Sequence, residues 1–343
     1  MQETIKWLKP GIKPESALSS GVLLYRTFSD LQFQAENDSI FFERIHQKQD
    51  LIKPCLSSKS LLSLSYENDY DYVDNLSETG LIQSDKTDNS TFLVNANKGY
   101  SLTFSCSEHL CINVIKNGLS IKSALKEAVK IDKIINSVSA YSFSEKFGHV
   151  MSSLQKSGSA SFAYTFLHLP VLSLIKATVE IQKRLSKTGI LFENCNKSAS
   201  TNSIGIYKVS NKYSFGSSEE DISSQIADIS STLIQMENET REEYYSENKT
   251  EFEDKIMKSL GILERAKILS HQESLEHLSN IRCGIILSVI KSISLNDINP
   301  LFFTLGHNNL KYSMASSGIL LAEENCYRAE KIRRLIIKRN DDI

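Results

Sequence analysis

Proline and glycine are scarce in this chain, five and fourteen among 343 residues, which excludes collagen-like and low-complexity linker character. An excess of one charge sign is also missing. The formal net charge is −2, whereas a nucleic-acid interface usually needs a strongly basic face, so no nucleic-acid partner is expected. No apolar run approaches the ~18–20 residues of a membrane span, so no membrane association is expected either. The opening segment, Met1 to Gly11, carries Trp7 and Leu8 but lacks the apolar stretch and small-residue cleavage site of a secretory signal; a cytoplasmic location is the default expectation. C-x-x-C pairs are absent among the six cysteines, Cys55, Cys106, Cys111, Cys195, Cys283 and Cys326. Cys106 and Cys111 flank His109, but a zinc site needs four closely spaced ligands and no second pair follows. Reduced cysteines and no metal site are expected. His271 and His277 miss the i,i+4 spacing that puts two ligands on one helix face, and no Walker-type loop or G-x-S-x-G element occurs.

What remains is an ordinary globular composition, 41% hydrophobic and 23% charged, long enough for two domains. Residues 1–90 show little periodicity, with Ser-rich and acidic stretches such as Leu56–Ser65 and Glu67–Asp74; short helices and loops are expected there. Tyr100, Leu102 and Phe104, then Leu110, Ile112 and Val114, alternate with polar residues. That period of two predicts two antiparallel strands joined through Cys106–His109. Lys116-Asn117-Gly118 is a turn signal, and Ser120 opens a helix with Ala124, Ala128, Ile131 and Ile135 on one face. A helix is expected from Pro170 to a stop at Gly189. Ile190–Phe192 and Ile204–Val209 read as strands, and Ser218 with Glu219, Glu220 and Asp221 as a helix start. The charged stretch 237–251 reads as a solvated helix or a hinge and is taken as the domain boundary. Beyond it the pattern is helical throughout, including a capping box at Ser270 and Glu273 and a final basic helix from about Ala322. Strands with helices followed by helices alone predict an α+β domain, residues 1–236, and an all-helical domain, residues 252–343.

Several segments resemble the bacterial protein-arginine kinase family, a branch of the ATP:guanido phosphotransferases (phosphagen kinases): FSEKFGHV at 143–150, HLPVL at 168–172, NKYSFGSSEEDI at 211–222, FEDKIMKSLGILERAKILS at 252–270 and LEHLSNIRCGI at 275–285. The resemblance implies a phosphagen-kinase-like catalytic domain, an antiparallel sheet flanked by helices, and a C-terminal helical domain that dimerises. It implies ATP and magnesium as cofactors of an active member. Implied partners are a zinc-binding activator protein, a heat-shock repressor and the Clp ATPase machinery.

Phosphoryl transfer to a guanidinium rests on positioning and on cations around the moving phosphoryl group, with a carboxylate to orient the guanidinium. The family's S-S-R-x-R motif is matched to Leu24-Tyr25-Arg26-Thr27-Phe28, which keeps Arg26 and replaces the second arginine by Phe28. A nucleotide-contacting histidine falls at Gly80. Its N-E-E-D-H-x-R motif reads Ser105-Cys106-Ser107-Glu108-His109-Leu110-Cys111. The catalytic glutamate falls at Ser107, its neighbour at Cys106 and the arginine at Cys111; Glu108, one residue away, would need a bend to substitute. In the reactive-cysteine loop, Ser153 stands for the cysteine and Phe162 for the arginine. There Ser157-Gly158-Ser159, aided by Lys156, reads either as an anion cradle or as a plain flexible connection. In R-G-x-x-G-E, Glu193 stands for the arginine and Ser198 for the glutamate. The phosphoarginine-binding R-D-x-x-R-A motif reads Glu324-Asn325-Cys326-Tyr327-Arg328-Ala329 and keeps Arg328.

Only one of the family's five phosphate-binding arginines survives this alignment. The leading expectation is a member that has lost phosphoryl transfer, a pseudokinase acting through protein partners. The alternative is an active enzyme with a site rebuilt from Arg26, Lys156, Lys197 and Glu108. A third reading is a structural dimer whose cleft is filled by Phe28 and Phe162.

Overall fold

The structure, a computed structural model, describes residues 17–33, 39–56, 60–83, 85–195, 204–315, 318, 320 and 323–340. In chain order it runs β1 (Ser19–Arg26), α1 (Ser39–Ile52), β2 (Leu62–Ser65), α2 (Tyr66–Glu78), β3 (Thr91–Asn95), β4 (Tyr100–Phe104), β5 (Leu110–Asn117) and α3 (Ile121–Val138). A small hairpin follows, β6 (Phe143–Ser144) and β7 (Gly148–His149), then β8 (Ser161–His168), α4 (Pro170–Leu174), α5 (Ala177–Ser186), β9 (Ile190–Asn194), β10 (Ile206–Asn211) and α6 (Glu219–Glu247). The remainder is helical: α7 (Lys249–Arg265), α8 (His271–Ile286), α9 (Leu295–Ile298), α10 (Leu301–Thr304), α11 (His307–Ala315) and α12 (Glu324–Asn340).

Eight strands form one sheet in the order β2-β3-β4-β5-β1-β8-β10-β9, with every neighbouring pair antiparallel. Because successive strand side chains point to opposite faces, β1 divides its residues. Val22 and Leu24 join the core under α1, α3 and α6. Leu23 and Tyr25 join a second core with Val73 and Leu76 of α2 and with Leu81, Ile82 and Met151. The all-helical part has its own core, built from Phe252, Ile256, Leu263, Leu278, Ile281 and Ile332 among others, and it also takes in Leu18, Val171, Ile204 and Ile206 from the sheet part. An α+β domain followed by an all-helical domain is the observed architecture.

Two local expectations are corrected, and for residues 237–251 the helix of the two alternatives is found. The first ninety residues are not only short helices and loops: they supply β1, in the middle of the sheet. That strand is buried along its whole length, and a strand buried on both faces shows a continuous apolar run instead of alternation. The helix expected over 170–189 is two helices, because Lys176 adopts a left-handed backbone (φ 62°) between α4 and α5. The charged stretch 237–251 stays helical through Glu247 and turns only at Asn248, where Tyr244 packs edge-on against Phe252 at 5.6 Å.

Two carboxylates tie the helical part to the rest. Buried Glu237 of α6 accepts the amide N–H groups of Val171 (3.2 Å) and Leu172 (3.0 Å) at the start of α4 and lies 3.5 Å from Arg241. Glu78, the last residue of α2, accepts the N–H groups of Asn308 and Asn309 at 2.9 Å each, which satisfies the exposed start of α11. Gly306 leaves room beside it: a Cβ there would lie 2.5 Å from the Glu78 carboxylate, which would have to shift. Tyr72 stacks on Tyr312 at 4.8 Å in the same contact. Glu78→Ala is therefore expected to cost about 1–2 kcal/mol, as loss of a helix cap does, and to speed hydrogen exchange at Asn308 and Asn309. Unchanged exchange there would show that the contact is not formed in solution.

Candidate functional site

The sheet face opposite α3 and α6 collects Cys106, Cys111 and Phe162 of the residues singled out above. Register places Tyr25 opposite Cys111 on β5 and Leu23 opposite Phe162 on β8. Leu23 and Tyr25 are each 7% exposed, Cys111 is fully buried and Tyr164 is 1% exposed. Phe162 packs edge-on to Tyr25 at 5.7 Å. Burial pushes the Cys106 thiol up to about 12 and holds the Cys111 thiol well above its usual range, so neither is a thiolate near neutral pH. Two cations stand on this face: Lys156, whose Nζ lies 4.7 Å from the Tyr25 ring centroid, and Lys208, whose Nζ donates to Gln83 Oε1 at 3.1 Å above Tyr164.

The β4–β5 connection and the 151–160 loop meet at the edge of this face. Ser105 takes a left-handed backbone (φ 53°), which supplies the bend that Glu108 needs to turn inward. Its carboxylate accepts the Ser152 N–H at 3.1 Å and the Ser152 hydroxyl at 2.5 Å. Ser107 points outward and accepts from Lys156 Nζ at 2.6 Å. Ser153 is exposed at the turn, its carbonyl accepting from the Ser157 hydroxyl at 3.0 Å. Ser107, Glu108, Ser153 and Lys156 thus come together, and the loop is held by hydrogen bonds to the hairpin.

Arg26 lies elsewhere. It is fully buried, and all five of its N–H donors are engaged. Nε donates to Asp132 Oδ1 (2.9 Å) and Nη2 to Asp132 Oδ2 (3.1 Å) and Glu219 Oε1 (2.8 Å). Nη1 donates to the carbonyls of Tyr25 (2.8 Å) and Ser159 (3.2 Å). Both carboxylates belong to helices on the other side of the sheet, α3 and the first turn of α6. Phe28 is buried on that side too, stacked 6.2 Å from His109 and tilted against Tyr141 at 6.1 Å. Glu193 is exposed on β9, across from Lys208. Ser198 and Lys197 lie outside the described residues. Arg328 is 1% exposed in the helical part. It donates to the carbonyls of Leu305 and Leu269 at 3.0 Å each, and to Asn325 and Glu324, so it fastens α12 to two preceding loops.

His109 links the two sides. Its Nδ1 accepts the Phe28 N–H at 3.0 Å, and burial holds its pKa down at about 4. Burial also lowers His149 to about 3. An unfolded histidine titrates near 6.5, so below that pH the unfolded chain binds protons that the fold refuses. Stability is then complete above about pH 6.5 and falls as pH drops toward 4, by about 3 kcal/mol for His109 alone. Glu237, raised by burial to about 7, has the opposite sign and offsets part of the loss between about 4.5 and 7. His109→Gln should flatten the acid limb of a melting-temperature profile; an unchanged limb would mean that His109 is protonated in the fold.

Comparison with known proteins completes the picture. The C-terminal catalytic domain of the ATP:guanido phosphotransferases matches residues 29–240, and the C-terminal domain of the protein-arginine kinase McsB matches residues 249–342. A protein-arginine kinase of Bacillus cereus (strain G9842) is 30% identical over 351 residues, covering 99% of this chain and 98% of that one. The chain belongs to the protein-arginine kinase family. A second relative so named, from Clostridium perfringens, is 28% identical over 303 residues, 86% of this chain and 88% of its own. The duplicated taurocyamine kinase of Schistosoma mansoni shares the fold, with a TM-score of 0.55 at 15% identity over 70% of this chain; the match spans 36% of that longer protein.

Two further residues of β1, Gly21 and Leu23, bear on this face. The literal Ser-Ser pair of the chain's first strand is Ser19-Ser20. Gly21 and Leu23 follow it on β1. Gly21 and Leu23 share the face of Tyr25, Cys111 and Phe162, whereas Arg26 faces the helices. A Cβ on Gly21 would lie 2.4 Å from Tyr164 Oη and 2.5 Å from the Val114 carbonyl. The Tyr164 hydroxyl is itself held at 2.9 Å from Asn113 Oδ1. Gly21→Ala should therefore destabilise the protein by about 1–3 kcal/mol, the usual cost of overpacking, read by urea denaturation; a neutral effect would mean that the Tyr164 ring moves aside.

Proposed function

We propose that this protein-arginine kinase homologue has lost phosphoryl transfer and works as a protein-binding regulator or scaffold. The reading is supported by the sheet face of Gly21, Leu23, Cys111 and Phe162, with the Tyr164 ring over Gly21; by the resemblance Cys111 and Phe162 take arginine positions of the family, and counted from Ser19-Ser20 the first two such positions would be Gly21 and Leu23 instead of Arg26 and Phe28. These residues do not fit a nucleoside triphosphate and its magnesium. They offer apolar surface and neutral thiols where the chemistry needs several cations. The carboxylate nearest the catalytic position, Glu108, is engaged by Ser152. Arg26 and Arg328 are occupied inside the protein.

The alternative, an active enzyme with a rebuilt site, would have to use Lys156 with either Glu108 or a residue outside the described segments. Arginine phosphorylation of a protein substrate by this chain and by the Bacillus cereus relative, side by side, separates the two. No phosphoarginine above background is expected from this chain; a rate near that of the relative would establish the alternative. In the proposed role residues 1–236 keep the catalytic-domain fold as a platform, and residues 252–343 pair two copies. Partners by family analogy are a zinc-binding activator, a repressor or a Clp ATPase, in the cytoplasm. Among the described residues no helix is long and apolar enough to cross a membrane. A monomer mass by light scattering at micromolar concentration would remove the dimer from this account.

A further inference from the structure

Helix α3 covers the sheet with Ile121, Ala124, Ala128, Ile131 and Ile135, all buried. Its outer side carries Lys122, Lys126, Lys130 and Lys133, each exposed. Spacings of four, four and three residues align them along one side of the helix, a row about 16 Å long at ~1.5 Å per residue. Lys116, at the end of β5, extends the same basic surface. None of these five lysines forms an ion pair among the described residues.

These lysines border a groove of about 1110 Å³ between α3 and the first turns of α6. Leu125, Val129 and Ile134 contribute apolar surface to it, and Glu220, Ser223 and Ser224 come from the α6 side. Its carboxylates are Glu127 and Glu220, so five ammonium groups face two acids. The net charge of the whole chain is −2; the positive charge is local to this groove.

We propose that the groove docks an acidic amphipathic helix of a partner protein. The inference rests on the protein-binding part of the proposed function and supplies the chemistry of the partner. Charge complementarity selects carboxylates for the lysine row, and steering by such a row acts on encounter rate and specificity. The apolar surface selects against free phosphate and against a nucleic-acid backbone, neither of which would use Leu125, Val129 and Ile134. A concave groove does not match a flat lipid surface. The volume exceeds the ~300–1,000 Å³ typical of small-molecule pockets, whereas a helix laid along a groove by its apolar side, with charges at the rim, is a recurring mode of peptide recognition.

The test uses the full chain and a fluorescein-labelled helical peptide, with glutamates at i, i+4, i+8 and i+11 and leucines along the adjacent face. Fluorescence anisotropy is read at low and at physiological salt. Saturable binding is expected, weakened by salt and weakened at least about tenfold by K126E/K130E. K122Q/K133Q, a milder change at exposed positions, should give a smaller loss in the same direction, and circular dichroism melts should show both variants folded. A peptide of the same composition with its glutamates distributed around the helix should bind weakly. Equal binding by wild type and K126E/K130E, equal binding of the rearranged peptide, or no saturable binding overturns the proposal. So does preferential binding to phosphatidylserine vesicles or to single-stranded DNA. Loss of phosphoryl transfer is judged separately by the phosphoarginine assay, so peptide docking can fail while that reading stands.

Discussion

Arg26→Ala is expected to lower stability by about 3–5 kcal/mol, the cost of breaking a buried ion pair by removing one partner. The guanidinium joins the end of β1 to α3 through Asp132, to α6 through Glu219 and to the Ser159 carbonyl. Its removal leaves Asp132 and Glu219 without their cation. They are 15% and 20% exposed, so water relieves part of the penalty and the lower end of the range applies. The melting temperature should fall by roughly 10 °C. Arg26→Lys should recover little, because one ammonium cannot reproduce a planar fork with five donors. Thermal denaturation checks both. A phosphate-binding Arg26 predicts the reverse pattern: a stable Arg26→Ala protein with weakened nucleotide affinity.

The second large effect is on catalysis. Loss of one preorganised charge stabiliser costs about 10²–10³ in rate, and such losses do not add simply. A rate at least about 10⁴-fold below that of the Bacillus cereus relative is expected, a bound drawn from two such losses. The combined replacement Ser107→Glu, Cys111→Arg and Phe162→Arg should not restore it. Glu108 would still be held by Ser152, and Gly21 would still lie under Tyr164. Phosphoarginine formation by the triple variant within about a hundredfold of the relative would show that these substitutions alone silence the site, and that the packing around Gly21 is incidental.

Legibility of the sequence followed burial. β4 and β5 announced themselves because Tyr100, Leu102, Phe104, Leu110, Ile112 and Val114 alternate with smaller or polar neighbours. The capping boxes at Ser218 and Ser270 appear in the structure with both reciprocal bonds, since capping depends on residues only three apart. β1 gives no such signal because a strand buried on both faces has no alternation to read. The break at Lys176 has no local signal, lysine being an uncommon left-handed residue. At the site, the segment around His109 set its own register, and Cys106, Ser107 and Cys111 followed. The first motif was harder. Matching the first motif to Arg26 sets it five residues further along the chain than Ser19-Ser20 would, and only strand pairing shows which face each residue occupies. That Arg26 meets two carboxylates 106 and 193 residues away cannot be read from spacing.

Calorimetric titration with magnesium-ATP, run beside the Bacillus cereus relative under the same conditions, tests the central claim most directly. The account predicts no binding heat from this chain and no rise in its melting temperature at millimolar nucleotide, where an active site would give both. Saturable heat with a micromolar constant, lost on Lys156→Ala or Lys208→Ala, would contradict it and place a working phosphate site on the face around Tyr25.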